Sequence, residues 1–321
     1  MFFKHSKHVK EISDKIIKIL YEGELTQREL RNRLNISKSY LSEILKAMEN
    51  DGYIQRKMVS KRTIIVGLNR KKFLRIGILK ASEYAAVFLT AKDIDYLKID
   101  INIYNNSLEE MKDLLTERID IAFAPAITGL IFHLVDNSVI MISACSRGGS
   151  GIIYKENVEY MGSTLLSTMD LKSRIFSGGN VKIRYFSSPE EIIDSYLSGK
   201  IQAMAIWEPY FTMVNRGEKI QLAKDLICCG LITLNKNLDE RIIKFNEKFK
   251  KNSEELRLGR RREEASILIS ERLNIPFDVI LKSLESYEFE TDVNDEDIHK
   301  LTETLGINLN QSMMNSFINK K

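Results

Sequence analysis

The sequence predicts an α/β chain carrying a small α+β module at its N-terminus, on three observations. From about residue 72 onward, short β-prone runs alternate with amphipathic helical stretches, the pattern of largely parallel sheets crossed by helices. Before that point, three helical stretches are followed by two adjacent β-prone runs. Charge divides at the same place: residues 1–70 hold 15 Lys/Arg against 8 Asp/Glu, whereas the rest of the chain holds 33 against 36. A basic segment on a mildly acidic body makes the first segment the part suited to meet a polyanion. At 321 residues the chain exceeds one small core, so two or three structural units are expected.

In the first unit, Val9, Ile12, Ile16, Ile19 and Leu20 recur at helical spacing over residues 6–22, and Gly23 ends the run. Thr26-Gln-Arg-Glu29 forms a capping box for a second helix with Leu30 and Leu34 inside. Ser37 caps a third, whose inner face is Leu41, Leu45 and Met48, and Asp51-Gly52 stops it. The runs Tyr53–Val59 and Arg62–Leu68 form a hairpin tipped by Ser60-Lys61. From Thr26 to Ile54 this order and spacing resembles the winged helix-turn-helix of the MarR-like and ArsR-like regulators. The resemblance implies a DNA-reading module over residues 1–71. The third helix would then enter the major groove, offering Ser37, Lys38, Ser39, Tyr40, Ser42 and Lys46. The wing would bring Arg56, Lys57, Lys61 and Arg62 to phosphates or the minor groove. Double-stranded operator DNA is the implied partner, and two half-sites imply a homodimer. A module used for protein contacts is the alternative.

Over residues 72–321, Leu74–Leu79, Ile99–Tyr104 and Ile119–Ala124 are expected strands. A helix at Tyr84–Ala91 and another opened by Ser107-Leu-Glu-Glu110 lie between them. The end of the chain is mostly helical: Glu240–Leu258, Arg262–Leu273, Pro276–Glu288 and Glu296–Leu305. No GxGxxG or GxxxxGK[ST] occurs, so nucleotide binding through those loops is not supported. Cys145, Cys228 and Cys229 show no metal-ligand spacing and are read as buried small hydrophobes of a reducing compartment. His5, His8, His133 and His299 form no metal pattern, and neither metal nor cofactor is expected. The charged start lacks the apolar run of a secretory signal, and no window approaches a spanning helix. A cytoplasmic location without membrane contact is expected.

Several stretches occur in order: Leu74-Arg-Ile-Gly-Ile-Leu79, Glu109–Ala126, Cys145–Gly151, Gly162-Ser-Thr164, Phe186–Glu190 and Gly199–Tyr210. Together they resemble the type II periplasmic binding proteins, in the branch that binds nitrate, aliphatic sulfonates or the pyrimidine precursor of thiamine. The resemblance implies two lobes with mixed, mainly parallel sheets: lobe 1 at about 73–150 and 235–321, lobe 2 at about 151–230. A small-molecule effector would lie between them. Ligands of open α/β sheets sit beyond the strand ends, which nominates Lys80, Ser82, Glu83, Pro125, Ala126, Ser187, Ser188, Trp207 and Tyr210. Gly148 and Gly149 would let backbone N–H groups approach, and Arg147 would pair with an anion. Ser163 and Thr164 would open an anion-binding helix. Joined to the basic module, the implied role is a ligand-responsive transcription regulator and not an enzyme. An enzyme resembling the hydroxymethylpyrimidine phosphate synthases is the alternative, although Cys228-Cys229 does not match their cysteine-rich iron motif.

Overall fold

The computed structural model describes residues 7–60 and 63–320. They cluster into two units, one running to Leu74 with Asp95–Ile99 added, the other holding Arg75–Ile94 and Asp100 onward. The N-terminal unit thus takes in Phe73 and a return segment that a boundary at residue 71 leaves out.

Six elements build the first unit: α1 (Lys7–Tyr21), β1 (Leu25–Thr26), α2 (Gln27–Leu34), α3 (Lys38–Asn50), β2 (Ile54–Ser60) and β3 (Thr63–Leu68). The strands form an antiparallel sheet in the order β1-β3-β2. Local chemistry fixes the helix starts. Thr26 and Glu29 make a reciprocal capping box on α2, and the Ser37 hydroxyl accepts from the Tyr40 N–H at the start of α3. Asn35, at φ 51°, turns the chain between α2 and α3 in the left-handed conformation that asparagine tolerates. Ile16, Leu30, Leu45, Met48, Val66 and Phe73 are buried in one apolar cluster. Helices and hairpin therefore share a core that none of them has alone.

After the hairpin come β4 (Phe73–Leu79), α4 (Ala85–Asp93), β5 (Lys98–Tyr104), α5 (Ser107–Leu115), β6 (Ile121–Pro125), α6 (Ala126–Val135) and β7 (Val139–Gly148), in the second unit apart from Phe73, Leu74, Lys98 and Ile99. The chain then passes into β8 (Ser150–Tyr154), β9 (Tyr160–Ser163), α7 (Thr168–Ser177), β10 (Lys182–Tyr185) and α8 (Pro189–Leu197). β11 (Ala203–Trp207), α9 (Tyr210–Met213) and β12 (Glu218–Gln221) follow, and β13 (Ile227–Leu234) returns. The remainder is α10 (Glu240–Arg257), α11 (Arg262–Leu273), α12 (Phe277–Ser283), β14 (Tyr287–Phe289), α13 (Asp295–Leu305) and α14 (Gln311–Phe317).

Two sheets define two lobes. One has the order β14-β7-β13-β6-β4-β5, the other β10-β9-β11-β8-β12. The chain crosses between them twice, at Gly149 and over residues 222–226. Residues 227–230, counted with the second lobe by the sequence division, pair within the first sheet. β4 with β6, and β9 with both β10 and β11, run parallel. β13 lies antiparallel to β6 and β7, and β8 antiparallel to β11 and β12. The sheets are therefore mixed, because the strands that enter and leave each lobe turn back on those already there. The first parallel pair is locked from the side: Arg75 donates from Nε (3.0 Å) and Nη2 (2.8 Å) to the two carboxyl oxygens of Asp120.

The expected helix Pro276–Glu288 is shorter than its periodicity indicates. Residues 287–289 form β14 on the edge of β7, where Tyr287 and Phe289 are buried. Alternate large aromatic residues suit a strand, and tertiary pairing overrides the helical pattern there. Among the described residues, no helix is long and apolar enough to cross a membrane.

Candidate functional site

The N-terminal unit presents an open cationic face. On α3, Ser37, Lys38, Ser39, Ser42 and Lys46 are exposed and Tyr40 is half-buried. Lys57 is exposed on β2. Among the described residues, Lys38, Lys46 and Lys57 make no ion pair. A groove between α2, α3 and the hairpin is lined by Arg28, Arg31, Lys38 and Met58 with Thr26, Gln27, Thr63 and Ile64. Arg28 and Arg31 were not among the expected contacts. Their place on the outer face of α2 was legible, but not their approach to Lys38. Arg56 is corrected: its guanidinium is bound to Glu49 (Nε–Oε2 2.8 Å) and half-buried, so it braces the wing against α3. Lys61 and Arg62 lie outside the described residues.

Between the two lobes lies a narrow cleft with about 440 Å³ of empty space, counting its open mouth. The first lobe contributes Leu79, Ala81, Glu83, Tyr84, Asn106, Ser107, Pro125, Cys228 and Cys229. The second contributes Thr164, Ser167, Thr168, Met169 and Trp207. Of the residues expected there, Glu83, Pro125, Thr164 and Trp207 are present. Trp207 is held by a hydrogen bond from Nε1 to the Lys80 carbonyl (2.8 Å), and its ring lies edge-on to Tyr210 at 6.2 Å between centroids.

Two helices open onto this cleft. Asn106 caps α5 by accepting from the Glu109 N–H (3.0 Å), and Ser107 occupies the first turn. Asn106 is the cap, not Ser107 as the sequence pattern indicates. Ser167 caps α7 by accepting from the Asp170 N–H (3.2 Å). Gly162 and Ser163 end β9 and do not open a helix, so the helical start moves to Thr168. The Oγ atoms of Ser163 and Thr168 are buried without an internal hydrogen-bond partner, and Thr168 fronts on the cleft. Small polar residues after predicted strands were the available signal for Asn106, Ser107, Ser167 and Thr168.

The other expected cleft residues serve the frame. Arg147 binds Glu290 through Nε (2.7 Å) and Asp297 through Nη2 (2.5 Å) and does not line the cleft. Gly148 and Gly149, at φ 81° and 66°, make the turn between lobes. A Cβ on Gly149 would stand 1.9 Å from the Tyr287 ring, so close packing and a positive φ demand glycine there. Its N–H donates to the Ser286 carbonyl (3.1 Å). Ser82 accepts from Ser283 (2.8 Å), and Ala126 is buried at the start of α6. Across the cleft's edge, Lys80 pairs with Glu190 (3.0 Å), and Asn106 Nδ2 donates to the Ser187 carbonyl (3.2 Å). Tyr210 donates to Glu190 (3.1 Å), and Ser188 caps α8. Lys80, Ser187, Ser188 and Tyr210 therefore hold the lobes together or shape their elements.

On the first-lobe wall, Glu83 follows β4, while Cys228 and Cys229 lie at the start of β13. The strand is irregular there, with register shifts on both sides of Cys229. Adjacent residues of a regular strand point to opposite faces, and the irregularity brings these two Sγ atoms to 3.8 Å. Ser146 donates to Glu83 Oε1 (2.8 Å), and the Tyr84 hydroxyl lies 3.4 Å from Cys229 Sγ. Burial pushes the Glu83 carboxyl and the Cys229 thiol above their ordinary values.

Fold and site together define a winged helix-turn-helix-like region joined to a two-lobed domain of the type II periplasmic-binding-protein kind. Residues 11–55 match the family model described as winged helix-turn-helix DNA-binding. The two-lobed domain is similar in fold to the ligand-binding component of an ABC-type import system from Staphylococcus aureus with zinc bound. That likeness has 16% identity, TM-score 0.64, and covers 73% of this chain and 91% of the other. The alkanesulfonate-binding protein SsuA from Xanthomonas axonopodis pv. citri bound to MOPS gives 15%, 0.61, 73% and 91% in the same order. The periplasmic nitrate-binding protein NrtA from Synechocystis gives 12%, 0.63, 78% and 85%. No curated protein sequence matches the chain. These relatives in fold are described as binding proteins and a component of an import system. The expected cytoplasmic location is withdrawn, because the fold is that of proteins described as periplasmic.

Proposed function

We propose that the chain is a ligand-responsive DNA-binding regulator. A small anionic or ring-bearing metabolite held between the lobes changes operator binding by the winged helix. One observation carries the ligand half: α5 and α7 both direct their N-termini to one cleft, beside Trp207. Helix N-termini offer unpaired N–H groups and the positive end of the dipole, which favours an oxyanion. Thr168 Oγ1 adds a buried hydroxyl free to bond a ligand, and Trp207 adds a ring face. Sulfonates and nitrate are the first candidates, since proteins of this fold bind them, and the pyrimidine precursor of thiamine is the third. The family match over 11–55 and the exposed lysines of α3 and β2, without an ion pair among the described residues, support the DNA half. A homodimer would present two winged helices to paired half-sites. Regulation requires that the DNA-bound and free states differ in ligand affinity.

The test is a thermal-shift screen against these ligands, followed by duplex-DNA binding at several salt concentrations with and without the hit. A ligand at ~100 times its dissociation constant adds about 2.7 kcal/mol, enough to raise the transition visibly. Trp207→Ala should abolish that rise and leave DNA affinity in place. If no anion or pyrimidine shifts the protein, the cleft reading fails. Failure to bind any duplex, even at low salt, assigns the winged module to protein contacts.

A further inference from the structure

Three chemically reactive groups, Glu83, Cys228 and Cys229, meet on the first-lobe wall of the cleft. Each offers one ligand atom, and those atoms lie within 4.8 Å of one another. Glu83 and Cys229 are buried, at 2% exposure each, and Cys228 is half-buried. All three line the cleft. We propose that Glu83, Cys228 and Cys229 form a binding site for a thiophilic divalent cation of the zinc class, with its fourth position facing the cleft.

Geometry favours it first. Two thiolates about 2.3 Å from one tetrahedral zinc stand about 3.8 Å apart, and Cys228 Sγ and Cys229 Sγ stand 3.8 Å apart. The irregular start of β13 produces that spacing; in a regular strand one of the two sulfurs would face away from the cleft. Ligand chemistry favours it second. Two thiolates and one carboxylate suit a borderline-soft divalent ion rather than magnesium or calcium, which take oxygen shells. The surroundings favour it third. Ser146 donates to the Glu83 carboxylate at 2.8 Å, the kind of second contact that orients a metal-bound carboxylate. With three protein ligands, a tetrahedral ion keeps one position for water or a solute donor. That a cleft solute fills this position rests on the ligand reading above; the metal site itself does not.

The experiment is zinc binding to the reduced full-length chain by equilibrium dialysis, with cobalt(II) absorption as a second readout. One zinc per chain is expected, along with a thiolate-to-cobalt charge-transfer band. Cys228→Ser, Cys229→Ser and Glu83→Gln should each weaken zinc binding at least ~10-fold. Cys145→Ser should leave it unchanged: Cys145 is buried nearby, but its Sγ–H points to the Glu83 carbonyl (3.7 Å). A parent protein that binds no zinc, or binds it without a cobalt–thiolate band, overturns the site even if a variant fails to fold. Equal zinc affinity in parent and cysteine variants overturns it too. Zinc binding with no response to any anion or pyrimidine would keep the metal site and remove the ligand reading. An anion shift without zinc binding would do the reverse.

Discussion

The cationic face of the winged unit and the cleft of the two-lobed unit handle charge in opposite ways. On α3 and β2, Lys38, Lys46 and Lys57 project into solvent without an ion-pair partner among the described residues. In the two-lobed unit several strong charges are engaged: Lys80 with Glu190 at the cleft's edge, Arg147 with Glu290 and Asp297, and Lys172 with Asp225. What faces the cleft is hydroxyls, an amide, two thiols, helix ends and the Glu83 carboxyl, which burial pushes above its ordinary value. An exposed, unpaired lysine keeps its attraction for a distant phosphate, subject to salt. A cleft built from dipoles recognises a ligand only at contact, where removal from water makes each hydrogen bond count. Availability of a charge, more than its presence, separates the two sites.

The sharpest test of that contrast lies inside the two-lobed unit. Glu110 of α5 is fully buried, and burial pushes its carboxyl up to about 8 from 4.5. Its proton is therefore held more tightly folded than unfolded. The resulting stability is fully present below about pH 4.5 and is lost as pH rises through about 8. At about 1.4 kcal/mol per pKa unit, this group alone is worth several kcal/mol across the window. Glu83 and Glu208 are shifted in the same direction, so they add to the slope. Chemical denaturation at pH 5, 6, 7 and 8 should show stability falling with pH, and Glu110→Gln should make the fall shallower. A slope that the substitution leaves untouched would mean that Glu110 is not the neutral interior acid described.

A smaller effect is expected on the open face. Lys38→Ala should cost about 1–3 kcal/mol of duplex affinity if Lys38 reaches a base edge, and more on a preferred sequence than on others. Lys57→Ala should weaken all sequences alike and reduce the salt slope by about 1, the signature of one phosphate contact. Affinity measured on two unrelated duplexes over a salt series separates the two. If neither substitution alters affinity or slope, the cations of this face are simply solvated, and the contrast with the cleft loses its functional meaning.

How far each region was legible follows from the distance over which its determinants act. Thr26 meets Glu29 and Ser37 meets Tyr40, each three residues apart, so the caps of the winged unit could be read directly. The cleft depends on partners far along the chain. Arg147 looked available until Glu290 and Asp297 came to it from more than 140 residues away. Cys228 and Cys229 looked like packing because they show no metal-ligand spacing, and no local pattern announces the irregular start of β13 or the arrival of Glu83. Trp207 was readable as a cleft residue because it ends a strand where open sheets bind ligands. Gly149 was readable as special, but its purpose lay with Tyr287, on an edge strand that the sequence pattern placed in a helix.

Arg56 offers the least effect and the cleanest control. It belongs by sequence to the basic wing, and by structure to the paired charges, since it donates to Glu49 from Nε at 2.8 Å and also from its backbone N–H. The pair holds the Glu49 carboxyl below its ordinary value through that side-chain hydrogen bond. A partly exposed ion pair of this kind contributes up to about 1 kcal/mol. Arg56→Ala should therefore lower the thermal transition of the winged unit slightly and leave the salt slope of DNA binding where it was. Arg56→Lys should keep part of the charge pairing and lose the forked contact, placing its stability between the two. A loss of salt slope in Arg56→Ala equal to that of Lys57→Ala would show that Arg56 leaves Glu49 to bind phosphate, and would return it to the DNA-contacting set.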